Sequence, residues 1–294
     1  MKNVFNGVAT ALITPFTEDG NINYEMLELL IERQIKSKIN ALVIAGTTGE
    51  GSTLNDEEFC QLISASSEII RERVPLIAGA GSNCTETAVK RSRAAEKCGA
   101  NALLSVTPYY NKTTEKGAEY HFNAIADQVS IPVILYNVPS RTGFDLSVDV
   151  CQALSSHPRI VGIKEASGNL SKMAEIRVHC PQLSLYSGND EQFIPCLSLG
   201  GYGLISVVSN LIPDFIVQLY QNWENKDLEK TEQMQLELIP LIKALFCEVN
   251  PIPVKYAMKR IGFPVGAPRM PLIECSALAQ EKVNYALKRF GMFS

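Results

Sequence analysis

The chain has 294 residues, of which 46% are hydrophobic and 20% are charged, and its formal net charge is −4. This composition is typical of a globular protein and excludes a disordered chain, and the length allows one large core or two small domains. The negative charge argues against nucleic acid or an anionic membrane as the main partner, because the summed field attracts neither.

The first residues do not form the continuous apolar core of a signal peptide, since Asn6 and Thr10 interrupt it. No apolar stretch of the sequence is long enough to span a bilayer. The eight cysteines are dispersed, without a CxxC pair or a histidine at metal-binding spacing. We therefore expect reduced thiols, no metal site and a cytoplasmic protein.

Short apolar segments recur along the chain, and each ends in a Gly, Ser, Thr or Pro cluster before a stretch with helical periodicity. They are rich in β-branched residues and lack clean alternation, which is typical of strands buried on both faces in a parallel sheet. The predicted strands are 8–13, 41–45, 76–80, 102–106, 133–136, 160–163, 183–186 and 204–208.

Amphipathic segments predict helices between these strands and again after residue 227. Asn55, with Glu58 three residues later, predicts a capping box at one helix start. The predicted helices include 24–36, 56–73, 86–97 and 117–129, and in the C-terminal part 228–246, 252–261 and 272–290.

Eight strand–helix alternations predict an α/β fold, a (β/α)8 TIM barrel. A doubly wound open sheet is the alternative, but no GxGxxG motif follows the first strand. We expect a barrel domain over residues 1–226 and an appended C-terminal helical module over residues 227–294. No linker-like composition separates the two parts, so the module is expected to pack on the barrel.

Lys164 directly follows the predicted strand 160–163. In TIM barrels the chemistry lies at the carboxyl ends of the strands. Loss of hydration beside an apolar strand lowers a lysine's pKa and leaves an amine that can attack a carbonyl. The alternative is a structural lysine that pairs with Glu165 or reaches solvent.

The second predicted strand is followed by the sequence GTTGEG, residues 46–51. Its glycines allow backbone amides and the hydroxyls of Thr47 and Thr48 to approach an anion. The lysine of a Walker loop is missing, which favours a carboxylate over a nucleotide phosphate. The structural alternative is a tight strand–helix turn.

Tyrosines and an arginine follow the fourth and fifth strands. Tyr110 and Tyr136 are able to relay protons if their neighbours lower their pKa, and Arg141 offers a fork for a carboxylate. Core packing for each tyrosine and a surface ion pair for Arg141 are the alternatives.

The motifs GTTGE, TPYYN, YNVPSRTG and GIKEASGN stand in this order between the first and the eighth strand. Through them the chain resembles the dihydrodipicolinate synthase/N-acetylneuraminate lyase family of class I aldolases. The resemblance implies a lyase of the barrel fold that needs no cofactor or metal and binds pyruvate as a Schiff base on Lys164. Tyr136 then handles protons over the imine, coupled through Thr47 to Tyr110, which reaches in from a neighbouring subunit.

The resemblance also implies how the substrates are bound. Thr47 and Thr48 hold the pyruvate carboxylate, and Arg141 holds the carboxylate of the incoming aldehyde. The residues that it assigns to substrate binding are Thr48, Arg141, Gly188 and Ile205, the last two through backbone carbonyls. A homotetramer built as a dimer of dimers is implied as well.

Arg141 favours the synthase branch of the family, in which L-aspartate 4-semialdehyde is the second substrate and the product leads to diaminopimelate and lysine. The alternative is N-acetylneuraminate lyase or another pyruvate aldolase, whose substrates need hydroxyl partners instead. A catalytically inactive barrel that serves as a binding subunit is a further alternative. The joint presence of the motif residues argues against it.

Regulation by lysine is where the chain departs from the family pattern. Lysine-inhibited members hold the inhibitor's amino groups with histidine and glutamate side chains, and the matching residues here are Asp56, Phe59 and Thr87. Asn83 and Tyr109 of that site are retained. We expect weak or absent feedback inhibition, because a neutral hydroxyl replaces the glutamate carboxylate.

Overall fold

The computed structural model describes residues 3–292, and within them eight parallel strands form a closed barrel. Each strand pairs with the next along the chain, and β8 pairs with β1 to complete the ring. The prediction of a TIM barrel is therefore confirmed. The strands are β1 (Gly7–Ala11), β2 (Ala41–Ile44), β3 (Leu76–Gly79), β4 (Ala102–Val106), β5 (Val133–Asn137), β6 (Ile160–Glu165), β7 (Ser184–Ser187) and β8 (Gly203–Ser206).

Helices follow the strands around the outside of the barrel and continue after β8. Within residues 3–292, no helix is both long and apolar enough to cross a membrane. The helices are α1 (Tyr24–Lys36), α2 (Asp56–Ile70), α3 (Thr85–Lys97), α4 (Glu115–Ala126), α5 (Pro139–Thr142), α6 (Val148–Leu154), α7 (Leu170–His179), α8 (Phe193–Ser198), α9 (Pro213–Glu224), α10 (Leu228–Leu245), α11 (Ile252–Arg260) and α12 (Ala277–Arg289).

Capping residues explain where several helices begin and end. The predicted capping box is confirmed, since Asn55 Oδ1 accepts from the Glu58 N–H at 2.9 Å and Glu58 Oε2 accepts from the Asn55 N–H at 3.0 Å. α2 ends earlier than predicted because Arg71 enters the left-handed region at φ 50°. α12 begins later than predicted because Ser276 Oγ caps it by accepting from the Ala279 N–H.

Two apolar layers hold the fold together. The outer layer lies between the strands and the helices, and the inner layer fills the barrel with residues such as Val43, Ile77 and Ile205. At the amino end of the strands, the ring of Tyr186 stacks on Phe5 with 4.3 Å between centroids. Within residues 3–292, side chains thus fill this end of the barrel.

A buried ion pair connects α11 to the loop after β2. Lys255 Nζ lies 2.7 Å from Glu50 Oε1, and the two side chains are 1% and 0% exposed. The second oxygen of Glu50 accepts from the Arg269 N–H at 2.8 Å. Burial lowers the pKa of Lys255, and the charge of Glu50 opposes that shift. The loop that holds Thr47 and Thr48 is therefore tied to the C-terminal helices.

Apolar contacts also run across residue 226, because Leu238 and Leu241 of α10 belong to the same outer layer as residues of the barrel wall. The division into a barrel domain and a helical module at this point stays a prediction.

We predict that Lys255→Met destabilises the protein by about 3–5 kcal/mol, because it leaves the Glu50 carboxylate buried without its cation. The double variant Glu50→Gln/Lys255→Met removes both charges and is expected to regain most of that loss. Urea unfolding followed by circular dichroism measures both effects. Equal destabilisation of the single and the double variant would show that Lys255 does not stabilise the protein through its ion pair with Glu50.

Candidate active site

A cavity of about 500 Å³ opens at the carboxyl end of the barrel strands. Its size is that of a pocket for a small organic ligand, and its position is that of the active sites of TIM-barrel enzymes. Polar side chains from several strand ends and from the C-terminal segment line it. They include Thr47, Thr48, Tyr109, Tyr136, Arg141, Lys164 and Asn250, and the backbone of Gly188 lies among them.

The sequence predicted that Lys164 directly follows the strand, but the residue lies inside β6. The strand continues to Glu165, and the register pairs Lys164 with Tyr136 of β5. Both side chains are buried, at 6% and 7% exposure, and Lys164 Nζ lies 4.3 Å from the centroid of the Tyr136 ring. The amine is thus held over an aromatic face in a largely dry part of the cavity.

Glu165 is not the partner of Lys164. Successive strand residues point to opposite faces of the sheet. Glu165 accepts hydrogen bonds from Asn137 Nδ2 at 2.9 Å and from the Ser167 N–H at 2.6 Å. The structural alternative for Lys164, a strand-end lysine that pairs with Glu165 or reaches solvent, is therefore wrong.

Gly188 makes room for the lysine. A Cβ atom at this position would lie 3.0 Å from Lys164 Cε and 2.5 Å from Ala166 Cβ. Any larger residue would collide with Ala166 and crowd the lysine side chain. Ile205, in contrast, is fully buried in the inner apolar layer and is not among the residues that line the cavity.

The loop after β2 presents one exposed and one buried threonine. Thr47 is exposed to the cavity, whereas Thr48 is buried and its Oγ1 accepts from Asn250 Nδ2 at 2.9 Å. The loop reverses sharply at Ala45 and Glu50, which have φ values of 56° and 55°. The buried pair with Lys255 holds Glu50 in this uncommon conformation.

Arg141 lies in the short helix α5, directly after β5, and is exposed. Its Nη2 donates to the backbone carbonyl of Asn250 at 3.4 Å. Arg141 lines the same cavity as the threonine loop, and its guanidinium is able to receive an anionic group of a ligand.

Tyr110 is not part of the cavity that this chain forms. Its side chain is 91% exposed, whereas its neighbour Tyr109 lines the cavity. The backbone of Tyr110 has a φ of 69°, a conformation that costs free energy for a bulky side chain. The turn after β4 thus points this tyrosine away from Lys164.

Asp190, just after β7, is fully buried and connects the ends of β7 and β8. The Ser206 hydroxyl donates to Oδ1, and the Val207 N–H donates to Oδ2 at 3.1 Å. Burial raises the pKa of its carboxyl to about 6. The carboxyl holds the wall of the cavity without lining it.

Asn250 is one of the cavity residues that sequence reasoning missed. It follows α10, far from any strand end, so the rule that directs attention to strand ends does not select it. An Asn-Pro pair between two predicted helices is the signal in the sequence, and it indicates a turn without indicating a site.

The family model described as the dihydrodipicolinate synthetase family matches residues 4–290. The 4-hydroxy-tetrahydrodipicolinate synthase of Caldicellulosiruptor saccharolyticus is 47% identical over 98% of this chain and 98% of that protein. The enzyme of the same name from Thermoanaerobacter sp. is 50% identical, with the same coverage of both chains.

Among solved structures, the chloride-inhibited dihydrodipicolinate synthase of Acinetobacter baumannii, complexed with pyruvate, superposes with a TM-score of 0.95. It is 39% identical and covers 99% of this chain and 100% of that chain. The match of the family model over nearly the whole chain, together with the barrel and the motifs at its strand ends, shows that the chain belongs to the dihydrodipicolinate synthetase family.

Proposed function

We propose that the chain condenses pyruvate with L-aspartate 4-semialdehyde, as a 4-hydroxy-tetrahydrodipicolinate synthase of diaminopimelate and lysine biosynthesis. The observation that carries the mechanism is Lys164, a buried amine over the Tyr136 ring in the cavity at the carboxyl end of the barrel. The family and the printed activity of relatives that match along their whole length support the choice of reaction.

The first half of the reaction activates pyruvate. The amine of Lys164 adds to the ketone carbon, and loss of water gives a protonated imine, which withdraws electrons from the adjacent methyl group. Loss of one methyl proton then gives an enamine, a carbon nucleophile. Thr47 and Thr48 are the proposed ligands of the pyruvate carboxylate during these steps, and their position on the wall of the same cavity supports this role.

Tyr136 is the proposed proton carrier of these steps. Its ring is beside the Lys164 amine, so its hydroxyl moves protons for groups attached to that nitrogen or to the neighbouring carbon. The chemistry draws only on side chains and on the covalent imine, and we propose no metal or organic cofactor.

The second half joins the two substrates. The enamine carbon attacks the aldehyde carbon of L-aspartate 4-semialdehyde while Arg141 holds its carboxylate, so the aldehyde oxygen takes up a proton to become a hydroxyl and the imine on Lys164 is restored. The amino group of the same substrate then adds to the imine carbon, which closes the ring and releases Lys164 as the free amine. Gly188 leaves the space in which the lysine side chain moves through these steps.

We further propose that the active enzyme is a cytoplasmic homotetramer built as a dimer of dimers, in which Tyr110 completes the site of a neighbouring subunit. An exposed tyrosine in a costly backbone conformation supports this, since burial against a partner would repay that cost. Within its own chain Tyr110 lies outside the cavity.

Weak or absent inhibition by lysine is proposed as well. Asp56 is engaged by Lys90 Nζ at 2.7 Å and lies 3.6 Å from Arg91 Nε. Phe59 is buried beneath Arg91, and Thr87 presents a neutral side chain to solvent. No carboxylate at position 87 is available to bind an ammonium group there.

Incubation with pyruvate followed by borohydride is expected to attach one pyruvate-derived group to Lys164, because reduction makes the imine permanent. Peptide mass spectrometry locates the adduct. Lys172, a buried lysine paired with Asp145, is the internal control and should stay unlabelled. Lys164→Arg should abolish labelling and lower kcat by about a thousandfold or more. An adduct at another lysine, or turnover of N-acetylmannosamine instead of L-aspartate 4-semialdehyde, would refute the proposal.

Mixing the inactive variants Tyr110→Ala and Lys164→Ala in equal amounts should restore about one quarter of wild-type activity once subunits exchange. In half of the dimers, one site then combines an intact Lys164 with the partner's intact tyrosine. Steady-state assays before and after exchange measure the recovery. No recovery, with exchange verified by native mass spectrometry, would place the action of Tyr110 within its own chain.

L-lysine at up to about 1 mM is expected to leave the steady-state rate unchanged, since a site without the carboxylate binds the ammonium weakly. Thr87→Glu should increase sensitivity to lysine. Thr87→Gln introduces a side chain of the same size as glutamate but without the charge, and it should not. Inhibition of the wild-type protein below that concentration would contradict the proposal.

A further inference from the structure

A buried pair of polar side chains lies behind Lys164 and Tyr136 and has no part in the proposed mechanism. Asn137 and Glu165 are the next residues of β5 and β6, stand opposite each other in the register, and are both 0% exposed. Asn137 Nδ2 donates to Glu165 Oε2 at 2.9 Å. Because successive strand residues point to opposite faces of a sheet, this pair lies on the face turned away from the cavity.

The Asn137 side chain has a partner for each of its polar atoms. Nδ2 donates also to Asp145 Oδ1 at 2.8 Å, and Oδ1 accepts from the Leu146 N–H at 2.9 Å. Turning the amide over would present Oδ1 to two carboxyl oxygens and Nδ2 to an N–H, so all three hydrogen bonds would be lost. One buried side chain thus connects β5, β6 and the segment that follows α5.

The pairing of β5 with β6 is irregular nearer to the amino end of the strands. Val133 pairs with Ile160, whereas the next residue of β5 pairs with Gly162. Val161 is therefore an extra residue in β6, as in a β-bulge. A shift of one residue moves the following side chains of a strand to the other face of the sheet. The contacts beyond the bulge must consequently hold the register in which the lysine faces the cavity.

A polar pair is a costly way to join two buried strands. Removal of an amide and a carboxyl group from water has a free-energy cost that their hydrogen bond only offsets, so two apolar side chains would hold the strands equally well. A hydrogen bond adds direction, because its donor and acceptor must face each other at one distance. This directional contact lies one residue from the pair of Lys164 and Tyr136.

We propose that Asn137 and Glu165 are positioning residues of the reaction, and that their hydrogen bond holds β5 and β6 in the register that places the Lys164 amine beside the Tyr136 ring. The inference rests on the proposed function, because it concerns the attack of this amine on pyruvate. Neither residue touches the substrate. Without the hydrogen bond the barrel remains folded, but the amine leaves its place 4.3 Å from the ring centroid for part of the time and attacks the ketone more slowly.

The test measures the rate and the extent of imine formation separately. Each variant is mixed with saturating pyruvate and quenched with borohydride at timed intervals, and mass spectrometry of the intact protein gives the labelled fraction. A residue that contributes only to stability changes how many chains are labelled, and not how fast the folded chains react. Asn137→Ala and the isosteric Asn137→Asp are each expected to slow labelling by about ten- to a hundredfold, with the final extent retained.

The double variant Asn137→Asp/Glu165→Gln reverses the direction of the hydrogen bond. The amide introduced at position 165 donates to the carboxylate introduced at position 137, and its oxygen still accepts from the Ser167 N–H. Asp145 is 56% exposed and paired with Lys172, so it is free to turn from the new carboxylate. We expect labelling within about threefold of the wild-type rate. A double variant that folds but reacts as slowly as Asn137→Asp would overturn the proposal.

Asn40→Ala is the matched control, because Asn40 Oδ1 accepts from the Val8 N–H at 2.8 Å at the amino end of the barrel. It should lower the urea midpoint and leave the labelling rate unchanged. The same slowing in this variant, or a wild-type rate in Asn137→Ala, would also overturn the proposal. A wild type that forms no adduct on Lys164 would instead refute the proposed function, so the two failures are distinguishable.

Discussion

Closure of the parallel barrel is the constraint on which the site depends. Because every strand runs in the same direction and β8 pairs with β1, all strand ends that carry polar residues meet around one opening. The inner apolar layer and the stacked rings of Phe5 and Tyr186 fill the other end. The register between β5 and β6 then places Lys164 against Tyr136. An amine in this position is surrounded by protein on all sides except the one from which a substrate arrives.

The C-terminal segment completes the site that the barrel begins. It contributes Lys255, whose buried pair with Glu50 holds the threonine loop, and Asn250, which contacts both Thr48 and Arg141. The contacts with Glu50 and Thr48 are polar and buried, so each depends on precise placement of its partner. The segment after the barrel is therefore connected to the residues proposed to bind both substrates.

Tyr110 shows a different way of using the same architecture. The turn after β4 places this tyrosine outside its own cavity, in a backbone conformation that an isolated subunit has no evident reason to adopt. Assembly supplies a reason in the proposed mechanism, because a tyrosine directed outward is available to a neighbour. Catalysis and association would then be coupled, and a subunit alone would lack part of its proton-transfer chain.

The sequence by itself determined the alternation of strands and helices, the capping box at Asn55, the family, and the residues at the strand ends. These features are local or follow from a pattern with a fixed period, and they can be read without knowing what lies across the molecule. Helix and strand ends were predicted less well, since β6 extends through Lys164 and α12 begins only after its capping residue Ser276. Only the tertiary structure decided that Lys164 rests on Tyr136 and not beside Glu165, that Glu50 is buried with Lys255, and that Asn250 reaches the cavity. The pair of Glu50 with Lys255 and the position of Asn250 in the cavity depend on closure of the barrel and on packing between distant parts of the chain, and no local pattern in the sequence encodes either. The contact of Lys164 with Tyr136 depends on the register of two strands, which the whole barrel sets.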